Sequence, residues 1–279
     1  MLTATNSILI IYIPFGTLII LLVVGIRLLE NEMNKQEGKV AFITGGNRGI
    51  GFETAKGLGD LGITVVIGVR DITKGRAAVK QLQALGIKAE AIHYDSTKSQ
   101  SADTAYEYLA NHFGKLDILV NNAGILKEAL VGGNNSSTVS QEVLQETFQT
   151  NLFAVVALTQ KLLPLIKKSP AGRIVNLSSI LASLTLHSMP NSPIDPAKGF
   201  AYNASKTALN AYTIHLAHEL KDTNIKVNSA HPGWVKTELG GPNAPMEVSD
   251  SGKTSVRLAT LDETGPSGGF FHESDTLPW

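Results

Sequence analysis

The chain contains no cysteine, which excludes disulfides, thiol nucleophiles and cysteine metal sites and leaves the redox compartment open. Excess charge of one sign is also missing. Lys+Arg and Asp+Glu are 24 each over 279 residues, and no basic run goes beyond Lys167-Lys168. Such a balance argues against a nucleic-acid-binding protein. The seven histidines show no metal-ligand spacing: His215 and His218 share a helix face, but no third ligand is arranged with them. Internal repeats are absent. At 43% hydrophobic, the chain has the length and composition of one globular domain with a core of good size.

Short β-rich runs alternate with helical stretches, the pattern of a parallel sheet covered on both faces. Strands are expected near 39–44, 63–69, 88–93, 115–121, 172–178, 225–230 and 269–272. Helices are expected near 49–61, 73–85, 99–113, 140–168, 200–221 and 249–260. This is a Rossmann-type, doubly wound α/β fold of about seven strands, with its ligand at the carboxyl ends of the strands where their order reverses. Loops at 126–138, 180–199 and 238–248 are rich in Gly, Pro, Asn and Ser and follow strands at that edge, so they are the expected substrate walls.

Two motifs carry chemistry. The strand Val40-Ala41-Phe42-Ile43 runs into Thr44-Gly45-Gly46-Asn47-Arg48-Gly49-Ile50-Gly51 and then a helical pattern. Glycines let the backbone turn tightly and approach a phosphate, and the next helix offers free N–H groups with a partial positive charge, so the stretch reads as a dinucleotide pyrophosphate cradle. Far downstream, Tyr202 and Lys206 stand four residues apart, on one face of a helix. A free phenol titrates near pH ~10, and a nearby ammonium would lower that value and fit the phenol for acid/base work.

Thr-Gly-x-x-x-Gly-x-Gly followed by Tyr-x-x-x-Lys resembles the short-chain dehydrogenase/reductase family in its compact single-domain branch. The resemblance covers Lys39 to Trp279 and includes Asp95, Asn121-Asn122-Ala123-Gly124, Asn151, Ser178-Ser179 and Pro232-Gly233 through Thr237, in the expected order. Gly-Asn-Arg-Gly-Ile-Gly, Val-Arg-Asp, Pro-Gly-Trp-Val-Lys-Thr and the terminal Trp279 are most similar to carbonyl reductases. The resemblance implies an NADPH-dependent oxidoreductase that reduces the carbonyl of a small molecule to an alcohol. It implies Tyr202 as proton donor, Ser179 rather than Ser178 as hydrogen-bond donor to the substrate oxygen, Lys206 as the group that lowers the phenol pKa and holds the nicotinamide ribose, and Asn151 as the holder of a relay water.

Cofactor contacts implied in the same way are Asp95 and Ser96 at the adenine, and Asn122, Ala123 and Gly124 along the path to the nicotinamide. Pro232, Gly233, Val235 and Thr237 would line the carboxamide pocket. NAD-preferring relatives carry an Asp at the end of the second strand, where this chain has Val69 followed by Arg70. Arg70 and Arg48 can converge on a 2′-phosphate, which selects NADP(H). Ser179 and Tyr202 are 23 positions apart, a longer spacing than in the shortest members. The extra residues fall in Leu184 to Phe200, and this insertion should cap the active-site mouth or change its width and make a lipophilic carbonyl substrate plausible.

Other classes share the scaffold. A non-catalytic NADP(H) sensor typically loses the Tyr or Lys that this chain keeps, and sugar-nucleotide epimerases show a different glycine spacing and a longer substrate domain. The runner-up is a membrane-attached alcohol, sterol or retinoid dehydrogenase working oxidatively. A membrane partner is read from the N-terminus. Met1 to Ile26 carries no charged side chain, and Ser7 to Ile26 as a helix would span ~30 Å, about a bilayer core, despite Pro14 and Gly16. Arg27, Lys35 and Lys39 follow it, so residues 1–32 are expected to form a single-pass anchor and linker with the domain at 33–279 in the cytoplasm. Sequons at Asn176 and Asn203, where a glycan would damage the site, agree with that side. Translation from Met33 would instead give a soluble protein.

Overall fold

Residues 36–279 are described by a computed structural model. The anchor and linker expected over 1–32 lie outside these residues. The first strand, β1 (Val40–Thr44), is apolar up to Thr44 and buried along its whole length, as in a parallel sheet covered on both faces. Its side chains alternate between two cores: Ala41 and Ile43 join one, Val40 and Phe42 the other. The strands β2 (Thr64–Val69), β3 (Ala89–His93), β4 (Ile118–Asn121), β5 (Arg173–Leu177), β6 (Lys226–Ala230) and β7 (Phe270–His272) fall within the expected ranges. An eighth, β8 (Asp275–Thr276), was not expected; it pairs antiparallel with β7 at the sheet edge.

The sheet order is β3-β2-β1-β4-β5-β6-β7-β8 and the pairing from β1 to β7 is parallel. The order reverses at β1, which lies between β2 and β4. A crevice therefore opens beyond Thr44 and Asn121, where the helices on either side diverge. The helices α1 (Gly49–Asp60) and α2 (Ile72–Ala84) cover one face through Leu58, Val79 and Leu82. On the other face α3 (Gln100–Phe113) contributes Leu109. Local signals set the ends: Asp71 caps α2 by accepting from the amides of Thr73 and Lys74, and Gly114 stops α3 in the left-handed region at φ 69°.

The helix expected over 140–168 is broken into three parts. The helix α4 (Gln141–Phe148) passes into a π turn over Gln149–Phe153 and then α5 (Ala154–Ile166). π turns occur where a functional side chain must be re-aimed, and this one turns Asn151 fully into the interior. The expected loop 180–199 contains a 3-10 turn at Ile180–Ala182 and a short helix, α6 (Leu184–Ser188). The helix α7 (Phe200–Glu219) follows, and the last expected helix is reduced to a 3-10 turn at Val248–Asp250 and α8 (Lys253–Ala259). Among the described residues, no helix is long and apolar enough to cross a membrane.

A buried polar row fixes the strand ends beneath the crevice. Asn121 donates to Asn176 at 2.9 Å, Asn176 donates to Thr213 at 2.9 Å, and Ser229 donates to Thr213 at 2.9 Å. Asn121, Asn176 and Ser229 are register partners on β4, β5 and β6. Buried polar atoms must be paired or cost free energy, so this row ties three strands to α7 in one alignment.

Candidate active site

The crevice is a cleft of about 1750 Å³ that reaches from the glycine loop to the loops after β4, β5 and β6. At the end formed by the glycine loop, Gly45 and Gly49 adopt φ of 68° and 55°, which glycine tolerates without a Cβ penalty. A Cβ on Gly51 would lie 2.5 Å from the Gly45 carbonyl and from the Asn122 amide, so this helix start admits only glycine. Asn47, Arg48, Gly49 and Ile50 line the cleft. Thr44 lies behind it, where its hydroxyl accepts from the amides of Asn122 and Ala123, both at 3.0 Å. One threonine thereby joins the carboxyl ends of β1 and β4.

At the far side of β2, Val69 is buried and Arg70 is exposed at the cleft wall. Asp71 uses its carboxylate on its helix cap, and no Arg70 ion pair within 4 Å exists among the described residues. Arg48 pairs with Glu238, which reaches across from the loop after β6. Burial pulls the Asp95 carboxyl upward, but hydrogen bonds from the Thr97 amide and hydroxyl, with Arg70 and Lys98 nearby, hold it below the ordinary carboxylate range. Tyr94, Ser96 and Thr97 line the cleft, whereas Asp95 is not among its lining residues.

The other end of the cleft is built on α7. Tyr202 and Lys206 lie on its inner face, 7% and 4% exposed, with the Lys206 Nζ 5.9 Å from the Tyr202 ring centroid. Ser179 follows β5 and hydrogen-bonds the Tyr202 phenol through its side chain. Ser178 is buried without a partner among the described residues for its hydroxyl, so Ser179 is the serine joined to the tyrosine. Lys206 donates to the Leu177 carbonyl at 2.7 Å. Burial pushes the ammonium pKa down to about 8. The phenol does not behave as the Tyr-x-x-x-Lys spacing suggested: burial outweighs the Ser179 hydrogen bond and pushes it up to about 12. On the protein's own groups, Tyr202 is a protonated acid at neutral pH.

Asn151, completely buried, accepts from the Ile125 amide at 2.9 Å and donates to the Ile125 carbonyl at 2.9 Å and the Ser205 hydroxyl at 3.0 Å. Its side chain thus clamps the backbone just past Gly124 to the helix that carries Tyr202. A Cβ on Gly124 would stand 3.3 Å from Asn151 Oδ1 and 3.4 Å from Lys206 Nζ, which places this glycine between the two. Pro232, Gly233, Val235 and Thr237 line the cleft after β6. That loop is stiffened by a 2.8 Å bond from the Trp234 indole to the Gly240 carbonyl.

Two contributors were not singled out from the sequence. His231 accepts from the Ile180 amide at 3.2 Å through Nδ1 and so supports the turn that carries Ser179. Burial, with His272 beside it, pushes its pKa down to about 3, so the imidazole is neutral at physiological pH. Its place directly before Pro232 was the one signal available. Glu128 accepts from the Tyr202 amide at 2.9 Å, a contact between segments far apart in the chain.

A glycine cradle at the switch point of a parallel sheet, facing a buried Tyr-Lys-Ser cluster, defines a Rossmann-type oxidoreductase. A family model described as short chain dehydrogenase matches residues 39–247. The chain belongs to this family. It is 34% identical to human carbonyl reductase (NADPH) 1 over 282 residues, covering 86% of this chain and 98% of that protein. Among solved structures, salutaridine reductase from Papaver somniferum is similar at 30% identity with a TM-score of 0.73, covering 84% of this chain and 99% of that one. An NADPH-bound carbonyl reductase from chicken fatty liver is similar at 25% identity with a TM-score of 0.75, covering 88% of this chain and 100% of that one.

Proposed function

We propose that the protein reduces a lipophilic aldehyde or ketone to an alcohol with NADPH. The observation that carries this reading is the Tyr202, Ser179 and Lys206 cluster at the inner end of a cleft whose outer end fits a dinucleotide. The fit rests on the glycine cradle at Gly45, Gly49 and Gly51 and on Arg70, which has no ion-pair partner within 4 Å among the described residues and can meet a 2′-phosphate; Arg48, paired with Glu238, joins it only on leaving that carboxylate. When bound there, NADPH supplies the hydride. Ser179 and Tyr202 hydrogen-bond the carbonyl oxygen as negative charge grows on it, and Tyr202 gives it a proton. Lys206 holds the ribose side and returns a proton toward Tyr202, with Asn151 keeping the Gly124–Ile125 backbone in place. Asp95 and Ser96 take the adenine end; Asn122, Ala123, Gly124, Pro232, Gly233, Val235 and Thr237 line the route to the nicotinamide.

Leu130, Val131, Leu181, Ile194, Trp234 and Leu239 line the cleft, and an apolar wall favours an uncharged substrate. Human carbonyl reductase (NADPH) 1 and the chicken carbonyl reductase are relatives whose names carry the same activity. The test is NADPH oxidation by the chain beginning at Met33 across aldehydes, ketones, quinones and retinal, with NADH alongside. Turnover of one group supports the reading; NADPH binding without turnover of any substrate overturns it. Membrane attachment through residues 1–32 is a separate proposal, checked by fractionating cells that express the chain with and without those residues.

Arg70→Ala is expected to raise the KM for NADPH about 10-fold or more, since hydrogen bonds to charged groups contribute about 1.5–3 kcal/mol each. The KM for NADH should move less than about twofold on the same footing, because NADH has no 2′-phosphate for that bond. Steady-state kinetics with both cofactors decide the point, and equal changes would remove the 2′-phosphate assignment.

A further inference from the structure

The helix that carries Tyr202 begins without a cap of its own. Its N-cap position is Gly199, which has no side chain, and its first turn has no acidic residue. The first amides of a helix need acceptors, and they attract negative charge. Here the acceptor is supplied from elsewhere: Glu128, half-buried in the loop after β4, receives the amide of Tyr202 itself at 2.9 Å. A Cβ on Gly199 would meet the Glu128 carboxylate at 3.2 Å, so a side chain at the cap position and the incoming carboxylate compete for one space.

The flanking residues give this contact a purpose beyond capping. Leu126 and Leu130 pack against the cluster formed by Tyr202, Leu181 and Ile194, so positions 126, 128 and 130 all face the start of α7. Leu130 also lines the cleft. Farther along, the Gly132 amide donates to the Pro196 carbonyl at 3.0 Å, which joins the same loop to the segment before α7. A substrate wall and the proton donor thus share one fastening point.

We propose that Glu128 is a positioning residue: by bonding the Tyr202 amide it fixes the tyrosine against the wall formed by loop 126–138, and with it the distance between proton donor and bound carbonyl. The role rests on the proposed chemistry of Tyr202. Misplacing a reacting group by a fraction of an ångström to one ångström costs up to about 10²-fold in rate, so the loss of one fastening is expected to cost about tenfold.

The test uses the full chain with Glu128→Ala, Glu128→Gln, the double variant Glu128→Ala with Gly199→Ser, and Tyr202→Phe as control, measuring kcat, both KM values and Tm. Glu128→Ala should lower kcat about tenfold and raise the KM for the carbonyl, leaving the KM for NADPH within about twofold. Glu128→Gln keeps an acceptor oxygen and should stay within about twofold of wild type in kcat. In the double variant, the serine introduced at the cap position has the room vacated by the carboxylate and caps the helix from within, so Tm should recover while kcat remains low. Recovery of kcat together with Tm, or a wild-type kcat in Glu128→Ala, overturns the proposal, since the carboxylate would then be a helix cap only. An inactive wild type, or Tyr202→Phe at the wild-type rate, overturns the Tyr202 reading and removes the role of Glu128 with it.

Discussion

Tyr202→Phe is expected to lower kcat by about 10³-fold, within the 10²–10⁴ range that a positioned general acid supplies, while NADPH binds with an unchanged Kd. The expectation follows from where the hydroxyl lies. The ring packs in a small cluster with Leu181 and Ile194, and phenylalanine keeps that packing. The lost atom is the hydroxyl, whose protein partner is the Ser179 side chain. One hydrogen bond of this kind contributes about 1 kcal/mol, so the variant should fold with little change in Tm. A small change in stability beside a thousandfold change in rate separates chemistry from packing. Cofactor titration by fluorescence and single-turnover kinetics on the same preparation check both halves; near-normal turnover with intact NADPH binding would refute the assignment of Tyr202 as donor.

The direction of catalysis bears on this prediction. Burial pushes the phenol up to about 12, so it is protonated over the whole neutral range and can donate in a reduction without prior activation. An oxidation needs the phenolate, and on the protein's groups alone that state is disfavoured. The same residues serve both directions of a reversible hydride transfer, so the phenol pKa describes the resting protonation state and the NADPH/NADP⁺ ratio sets the direction. Lys206, expected from spacing to set the phenol pKa, lies 5.9 Å from the ring centroid and is itself driven toward neutrality by burial.

The same contrast marks what was legible in the sequence. The glycine loop, Val69 with Arg70, and Tyr202 with Lys206 are encoded by strand-loop-helix order and helix spacing, both local properties, and the structure places them along one cleft as expected. The seven parallel strands were legible because most are short β-rich runs between turn residues, alternating with helical stretches; Lys226–Ala230 is the most polar of them. The π turn at Gln149–Phe153 was not, because the partners that draw Asn151 inward, the Ile125 backbone and the Ser205 hydroxyl, are remote in sequence. Glu128 and His231 were illegible for a similar reason: each acts on an amide remote in sequence, Tyr202 and Ile180 respectively, and carries no local pattern. The phenol pKa also required tertiary knowledge, since burial is decided by the whole cleft and not by a five-residue motif.

Lys206→Met is expected to abolish turnover and yet unfold at a higher temperature than the wild type. Lys206 is 4% exposed, donates one hydrogen bond to the Leu177 carbonyl, and has its pKa pushed from 10.5 down to about 8 by burial. A shift of that size at 1.36 kcal/mol per unit corresponds to about 3 kcal/mol of penalty on the charged folded state. Below pH 8 the lysine is charged in both folded and unfolded chains and the full penalty applies. Between pH 8 and 10.5 the unfolded chain binds a proton that the folded one has released, so wild-type stability rises with pH, and above 10.5 the penalty is gone. Methionine fills a similar volume without charge but leaves the Leu177 carbonyl short of a donor, at about 1–3 kcal/mol, so the net gain at pH 7 should be about 1 kcal/mol. That corresponds to a Tm about 2–4 °C higher for a domain of this size. Urea unfolding of both proteins at pH 7 and near pH 10.5 measures it: the advantage of the variant should be present at the first pH and vanish or reverse at the second. Equal differences at both, or a less stable variant at pH 7, would mean that burial does not strain the ammonium. A cation held in an apolar interior against its own solvation is what a site keeps when the charge serves the reaction, and removing it should exchange activity for stability.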